Sequence, residues 1–331
     1  MLALDALRPL GAGLNRPECA LAHSSGLVLV PDWTGNGGVA AIAPGGRVAR
    51  LLARDPPEPL RPNGIALEPG GSVLLAHLGA ARGGLFRLHP DGGVETVLEA
   101  VEGEPLPPCN FVLRDRSGRL WLTVSTRVAP RADDYRTEAR TGFIVLIDPA
   151  GPRVVADGLG YANECLLSPD GATLWVNETF GRRTTAFAVA PDGSLSERRT
   201  VAAYGAGAFP DGLALDAQGA LWVVSIVSNR VMRVRDGVVE TLLEDCDPAH
   251  LTDVEDAFHA GRMGRPHLDR GGGRRLMNVS NLAFGGPGLR RAHLGCLLGD
   301  AVETFEAPVP GAPPPHWDVP LGPLARFLES G

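Results

Sequence analysis

Asn163-Glu164-Cys165-Leu166-Leu167-Ser168-Pro169-Asp170-Gly171-Ala172-Thr173-Leu174-Trp175-Val176-Asn177 is the stretch that decides how this chain folds. An amide opens a short apolar run, Pro-Asp-Gly supplies a turn that accepts positive φ, and a second strand follows. The order returns at Asp211-Gly212-Leu213-Ala214-Leu215, turning at Gln218-Gly219, and at Asn110-Phe111-Val112-Leu113, turning at Ser117-Gly118. Weaker copies begin at Asn63-Gly64-Ile65-Ala66-Leu67, at Glu18-Cys19-Ala20-Leu21 and at Asn281-Leu282-Ala283-Phe284. The six opening residues are 45, 47, 53, 48 and 70 positions apart, which is the period of a propeller blade with one long insertion before the last.

Third and fourth strands follow in each unit, as at 85–88 and 94–98 around Asp91-Gly92-Gly93, and at 231–235 and 238–242 around Asp236-Gly237. Four antiparallel strands repeated radially predict an all-β, six-bladed propeller. A parallel β-helix has a shorter period and lacks a hairpin at each step, and a sandwich would not repeat one motif at this spacing. Residues 1–14 are expected to add a strand to the last blade and close the ring, which removes exposed edges. The reading is one propeller domain over 1–331. The insertion at 245–276 holds a short helix at 252–260 with Thr252 as N-cap, and it reads as a lid or an oligomer contact.

Composition narrows the function. The 331 residues are 44% hydrophobic but only 5% aromatic, with 43 Gly and 29 Pro, as many short strands and turns require. A net charge of −7 argues against nucleic acid or an anionic membrane surface as partner, leaving a small-molecule substrate and a monomer or homodimer. All 31 basic residues are arginine, so Schiff-base chemistry on lysine is excluded. Five cysteines without CxxC spacing predict a reduced protein, and the absence of a leader-like or spanning segment predicts a cytoplasmic one.

Every opening residue carries a side-chain oxygen. Arranged around an axis, Glu18, Asn63, Asn110, Asn163, Asp211 and Asn281 would converge on one point and form a metal site. Carboxylates and amides are hard ligands that favour Ca²⁺, Mg²⁺ or Mn²⁺, with Zn²⁺ and Fe²⁺ open on affinity order. Taken singly, each is equally a local turn former, Asn63 and Asn281 above all. Chain direction places residues 33–36, 80–83, 106–109, 127–141, 180–183, 226–230 and the insertion on the same face as the ring.

The stretch from Asn163 to Trp175 resembles the fourth-blade signature of the gluconolactonase family, which includes senescence marker protein (regucalcin) and luciferin-regenerating enzyme. Phe209-Pro210-Asp211-Gly212-Leu213-Ala214-Leu215-Asp216, running on to Trp222, is similar to the fifth, and Asn281-Leu282-Ala283-Phe284-Gly285-Gly286 to the sixth. The resemblance implies one divalent cation held by Glu18, Asn163 and Asp211, with Asn110 binding it directly or through water or substrate. It implies a metal-dependent lactonase in which Asp211 is the general base and the ion polarises the carbonyl. Other hydrolysis of esters or phosphotriesters, a non-hydrolytic reaction, and a non-catalytic metal-binding propeller stay open. Pro107-Pro108-Cys109-Asn110-Phe111 lacks the arginine that precedes the third ring residue in sugar-lactone relatives, and Glu164 stands where glycine is usual, which points to a less polar or larger lactone. Trp33, Phe111, Phe180 and Phe209 are candidate walls, Asp32 and Glu178 candidate orienting groups, and His77 a candidate acid/base.

Overall fold

The computed structural model describes residues 1–329, so the last two residues of the expected domain lie outside the described residues. Six four-stranded antiparallel sheets surround a central channel. Blade 4 shows the plan: Ala162–Leu167, Thr173–Glu178, Arg183–Val189 and Leu195–Ala203 run in order from the axis outward. The innermost strands of the others are Leu21–Ala22, Pro62–Leu67, Cys109–Arg114, Ala208–Leu215 and Val279–Gly285. In blade 6 the outermost strand is Arg8–Leu10, paired antiparallel with Val302–Glu306, so the N-terminus closes the ring as expected.

Apolar seams between neighbouring blades hold the ring together. Leu29 and Val39 meet Leu75 and Phe86 between blades 1 and 2, and Trp121 and Leu146 meet Leu174 and Phe187 between blades 3 and 4. Between blades 5 and 6, Trp222 lies 5.0 Å from Phe284 at a steep angle. Blades 3 and 5 share a turn device. Asp115 accepts from the Ser117 and Arg119 amides and the Trp121 indole, and Asp216 from the Gln218 and Ala220 amides and the Trp222 indole.

One strap was not expected from the sequence. After blade 6 the chain crosses the face opposite the ring: Ala312 N donates to Leu215 O, Ser24 N to Trp317 O and Gly70 N to Pro320 O. A final helical turn then seats Leu324 and Phe327 on the seam between blades 1 and 2. The insertion holds two helices, α1 (Pro248–His259) and α2 (Arg265–Asp269). Helix α1 starts one turn before 252, because Asp247 caps it by accepting from the Ala249 and His250 amides at 2.9 and 3.3 Å. Thr252 is inside the helix, its hydroxyl bonded to Pro248 O. Among the described residues no helix is long and apolar enough to cross a membrane.

Blade 6 buries His293, whose Nδ1 has no hydrogen-bond partner. Burial, against a weaker contribution from the Ala283 backbone, lowers it from 6.5 to about 4. The neutral imidazole is favoured in the fold, so stability is complete above pH 6.5 and is lost as pH falls from 6.5 towards 4. The loss is about 3 kcal/mol at most. Urea unfolding at pH 7.5 and 4.5 should show that His293→Leu flattens this part of the profile; an unchanged slope would assign the acid sensitivity elsewhere.

Candidate functional site

Asn63, Asn110, Asn163 and Asp211 are not at strand starts, as expected, but inside the strands, where the ladder is interrupted between Pro62 and Ile65, Cys109 and Phe111, Ala162 and Cys165, and Pro210 and Leu213. Such bulges release a residue from pairing and re-aim its side chain. Glycine follows two of them for a steric reason. A Cβ on Gly64 would sit 2.6 Å from the Phe111 Cα, and one on Gly212 would sit 2.6 Å from the Asn281 Cα. The inner strands approach that closely.

All six opening residues are buried. Asn63 Oδ1 and Asn110 Oδ1 have no hydrogen-bond partner, while Glu18 Oε2 lies 2.9 Å from a guanidinium nitrogen of Arg16. Asn163 turns its Nδ2 to Thr179 Oγ1 at 3.0 Å, which fixes its amide with Oδ1 directed elsewhere. Buried acceptors without donors are costly. A cation would relieve Asn63 and Asn110 at once, so the donor set fits a hard divalent ion. Among the described residues no three His, Cys, Asp or Glu side chains form a metal cluster, so an ion here would draw on the amides as well. Burial, then the charges of Glu18 and Glu164, push the Asp211 carboxyl well above the carboxylate range, against the pull of Arg131 and Arg16.

Asn281 differs from the rest. Its Oδ1 accepts from Ala20 N and its Nδ2 donates to Glu164 Oε1, both at 2.8 Å, while Glu164 Oε2 accepts from Leu213 N. These bonds tie blades 4, 5, 6 and 1 together across the channel. Burial raises the Glu164 carboxyl to about 7. The bulge bearing Asp211 is pinned from blade 4: Asn177 Nδ2 donates to Asp211 O at 2.9 Å, and Thr179 Oγ1 to Pro210 O at 2.8 Å.

The loops above the ring carry an aromatic cluster and several arginines, two of which contact that cluster. Tyr135, Tyr161, Phe180, Phe209 and Phe258 form one cluster, with Phe258 supplied by α1. Arg182 lies 4.3 Å from the ring centres of both Phe209 and Phe258 and holds Glu255 of α1 in a two-pronged ion pair. Arg16 reaches Glu18 at 2.9 Å and stacks 4.4 Å over Trp33. Arg131, from the turn Arg131–Asp134, donates to the Tyr161 hydroxyl at 2.8 Å.

Residues 55–241, more than half of the chain, match the SMP-30/gluconolactonase/LRE-like region. The chain belongs to that family. Solved structures share the fold at low identity. A gluconolactonase of Xanthomonas campestris superposes with a TM-score of 0.63 at 22% identity, covering 92% of this chain and 89% of that one. A calcium-binding protein, regucalcin, of Agrobacterium tumefaciens gives 0.62 at 17%, covering 95% and 97%. Virginiamycin B lyase of Staphylococcus aureus gives 0.55 at 14%, covering 91% and 88%.

Several candidates outside the ring have other work. Glu178, 0% exposed, accepts from the Gly160 amide, Thr185 and the guanidiniums of Arg183 and Arg198, so its oxygens are saturated within blade 4 and the turn that enters it. Asp32 is taken by Arg50 and the Thr34 amide. His77 accepts from Arg61 N, faces Glu58 and meets Phe86 edge-on. Trp33 donates to Pro62 O and packs blade 1 on blade 2 while remaining on the ring face beside Arg16. Phe111 lies on the other side of the ring. There it lines a cavity of about 310 Å³ between the inner strands and the strap, with Leu167, Phe284 and His316, and Glu164 at its inner end.

The sequence reading missed Arg16, Arg131, Asn177 and Thr179. The run Asn177-Glu178-Thr179, three polar residues ending a strand where alternation would place an apolar one, was the available signal for the last two.

Proposed function

We propose that this protein is a metal-dependent hydrolase that opens a lactone. The observation that carries the reading is the pair of buried amide oxygens without hydrogen bonds on Asn63 and Asn110, together with the buried carboxyls of Glu18 and Asp211, in a chain of this family. Glu18, Asn163 and Asp211 would hold the ion, with Asn63 and Asn110 as further oxygen donors. Calcium suits an all-oxygen set best. When bound, the ion would supply Lewis-acid polarisation of the carbonyl and would counter the burial and the Glu18 and Glu164 charges that raise the Asp211 carboxyl.

The residues perform the remaining work. An Asp211 carboxylate oxygen accepts the proton of the attacking water as oxygen bonds to the carbonyl carbon. The ring C–O bond then breaks and that proton passes to the departing alkoxide, leaving a hydroxy acid. Asn177 and Thr179 hold the Asp211 backbone in register for this transfer, and the aromatic cluster excludes water on one side. The aromatic wall supports a lactone with an apolar body over an unmodified aldonolactone. Five free thiols support a reducing, cytoplasmic setting.

A panel of γ- and δ-lactones, assayed with and without a chelator, tests the proposal. Ring opening that stops on chelation and returns with Ca²⁺, Mg²⁺ or Mn²⁺ is expected. Chelator-insensitive turnover would overturn metal dependence, activity confined to phosphotriesters would move the reaction class, and metal uptake without turnover would leave a binding propeller.

A further inference from the structure

The channel is divided in two. The cavity of about 310 Å³ on the strap side ends at Glu164 and Asn281, and none of Glu18, Asn63, Asn110, Asn163 and Asp211 lines it. Glu164 Oε1 accepts from Asn281 Nδ2, while Glu164 Oε2 and Asn281 Oδ1 accept from the Leu213 and Ala20 amides. The floor thus spends its side-chain hydrogen bonds inside the protein. Ile65, Phe111, Leu167, Leu213 and Phe284, one from each of blades 2 to 6, supply an apolar wall.

The strap is the roof, and its attachments show where the cavity opens. Its backbone bonds go to Ser24 of blade 1, Gly70 of blade 2, Leu215 and Ala217 of blade 5, and Leu289 of blade 6. Among the described residues no backbone bond joins it to blade 3 or blade 4, where the exposed Arg116 reaches across to Pro313 O at 3.3 Å. The mouth therefore lies between the strap and the turns of blades 3 and 4. Charge there is even-handed: Arg114, Arg116 and Arg119 are matched by Asp115, Glu164 and Asp170. Asp115 is already paired with Arg119 at 2.7 Å, and Asp170 accepts from Ser168 and the Ala172 amide.

A lining with no net charge and a floor with its side-chain bonds already made selects against ions, whose desolvation nothing would offset. An apolar cavity of about 150 Å³ takes up benzene, and this one is about twice that size. We propose that the strap-side cavity is a second binding site, taking a neutral, largely apolar molecule the size of two fused aromatic rings. It is separate from the oxygen ring and does not depend on what reaction occurs there.

The test is calorimetric titration of the full-length protein, without added metal, with 2-naphthol, phenol, 2-naphthoate and 2-naphthylmethylamine. One 2-naphthol per chain is expected, bound at least about 10-fold tighter than phenol because a second ring is buried. Both charged analogues should bind at least about 10-fold more weakly than 2-naphthol. Ala283 and Leu166 are half-buried residues of the lining, from blades 6 and 4. Ala283→Phe and Leu166→Phe should each fill part of the space and weaken 2-naphthol by about 10-fold or more at an unchanged melting temperature. A crystal soaked in 1-bromonaphthalene, with anomalous data at the bromine edge, locates the guest without any substitution. Bromine between Phe111 and Phe284 is expected. No saturable binding, a bromine peak elsewhere, or tighter binding of either ion would overturn the site, whatever the lactone panel returns.

Discussion

Asp211→Ala is expected to abolish lactone opening, with a fall in kcat of at least about 1,000-fold, and to remove tight binding of the divalent ion. Loss of a general base alone is typically worth 10²–10⁴, and this carboxylate is also one of the two charged ligands of the proposed centre. The substitution should leave the fold intact. Asp211 is positioned through its backbone, by Asn177 and by the Thr179–Pro210 contact, neither of which needs the carboxylate. Its side chain shares a buried space with Glu18 and Glu164, so the ion-free protein should melt at an unchanged or higher temperature once one of three crowded acids is gone. Turnover, calorimetric titration with Ca²⁺ and thermal melting together decide it. Full activity would remove Asp211 from the mechanism, and a collapsed melting temperature would make it structural.

The largest effect on stability is expected far from the ring, at Asp216. This carboxylate is 1% exposed and accepts from the Gln218 and Ala220 amides, the Trp222 indole and the Arg233 guanidinium at 2.7–3.1 Å. Asp216→Ala leaves four donors short of their acceptor, one of them charged and one on a fully buried tryptophan. Breaking a buried charged network from one side costs about 3–5 kcal/mol. Urea unfolding should register that loss, with Asp216→Asn retaining part of it. A loss below about 1 kcal/mol would show that water substitutes freely for the carboxylate.

Recurrence made the architecture legible. A turn-forming Asp-Gly or its equivalent, placed a fixed distance after an oxygen-bearing residue, specifies hairpin and register by local chemistry alone, so blade number, strand order and the closing N-terminal strand could all be read in advance. Helix α1 was misplaced by a turn because Thr252 and Asp247 are both competent caps, and the choice belongs to the Pro248 that follows Asp247. The strap over residues 310–320 left no periodic trace, since its backbone pairs with Ser24, Gly70, Leu215, Ala217 and Leu289 in turns of different blades and not with a repeating neighbour.

At the site the division is sharper. Which residues open the inner strands, and that they carry oxygen, is written in the order of amino acids. That their amides lack donors, and that Asn281 is a strut while Asn63 is not, depends on which neighbours reach each one across the channel. Glu178 and His77 share the terminal position of a second strand, yet the fold saturates the first with arginines and seats the second against Phe86. Arg131 lies on a long loop with no motif, and its contact with the Tyr161 ring and hydroxyl depends on how Tyr161 packs in the aromatic cluster. Local turn chemistry acts between residues close in sequence and therefore shows in the sequence. Hydrogen-bond saturation and unpaired charge are sums over groups far apart in the chain, and only the closed ring decides them.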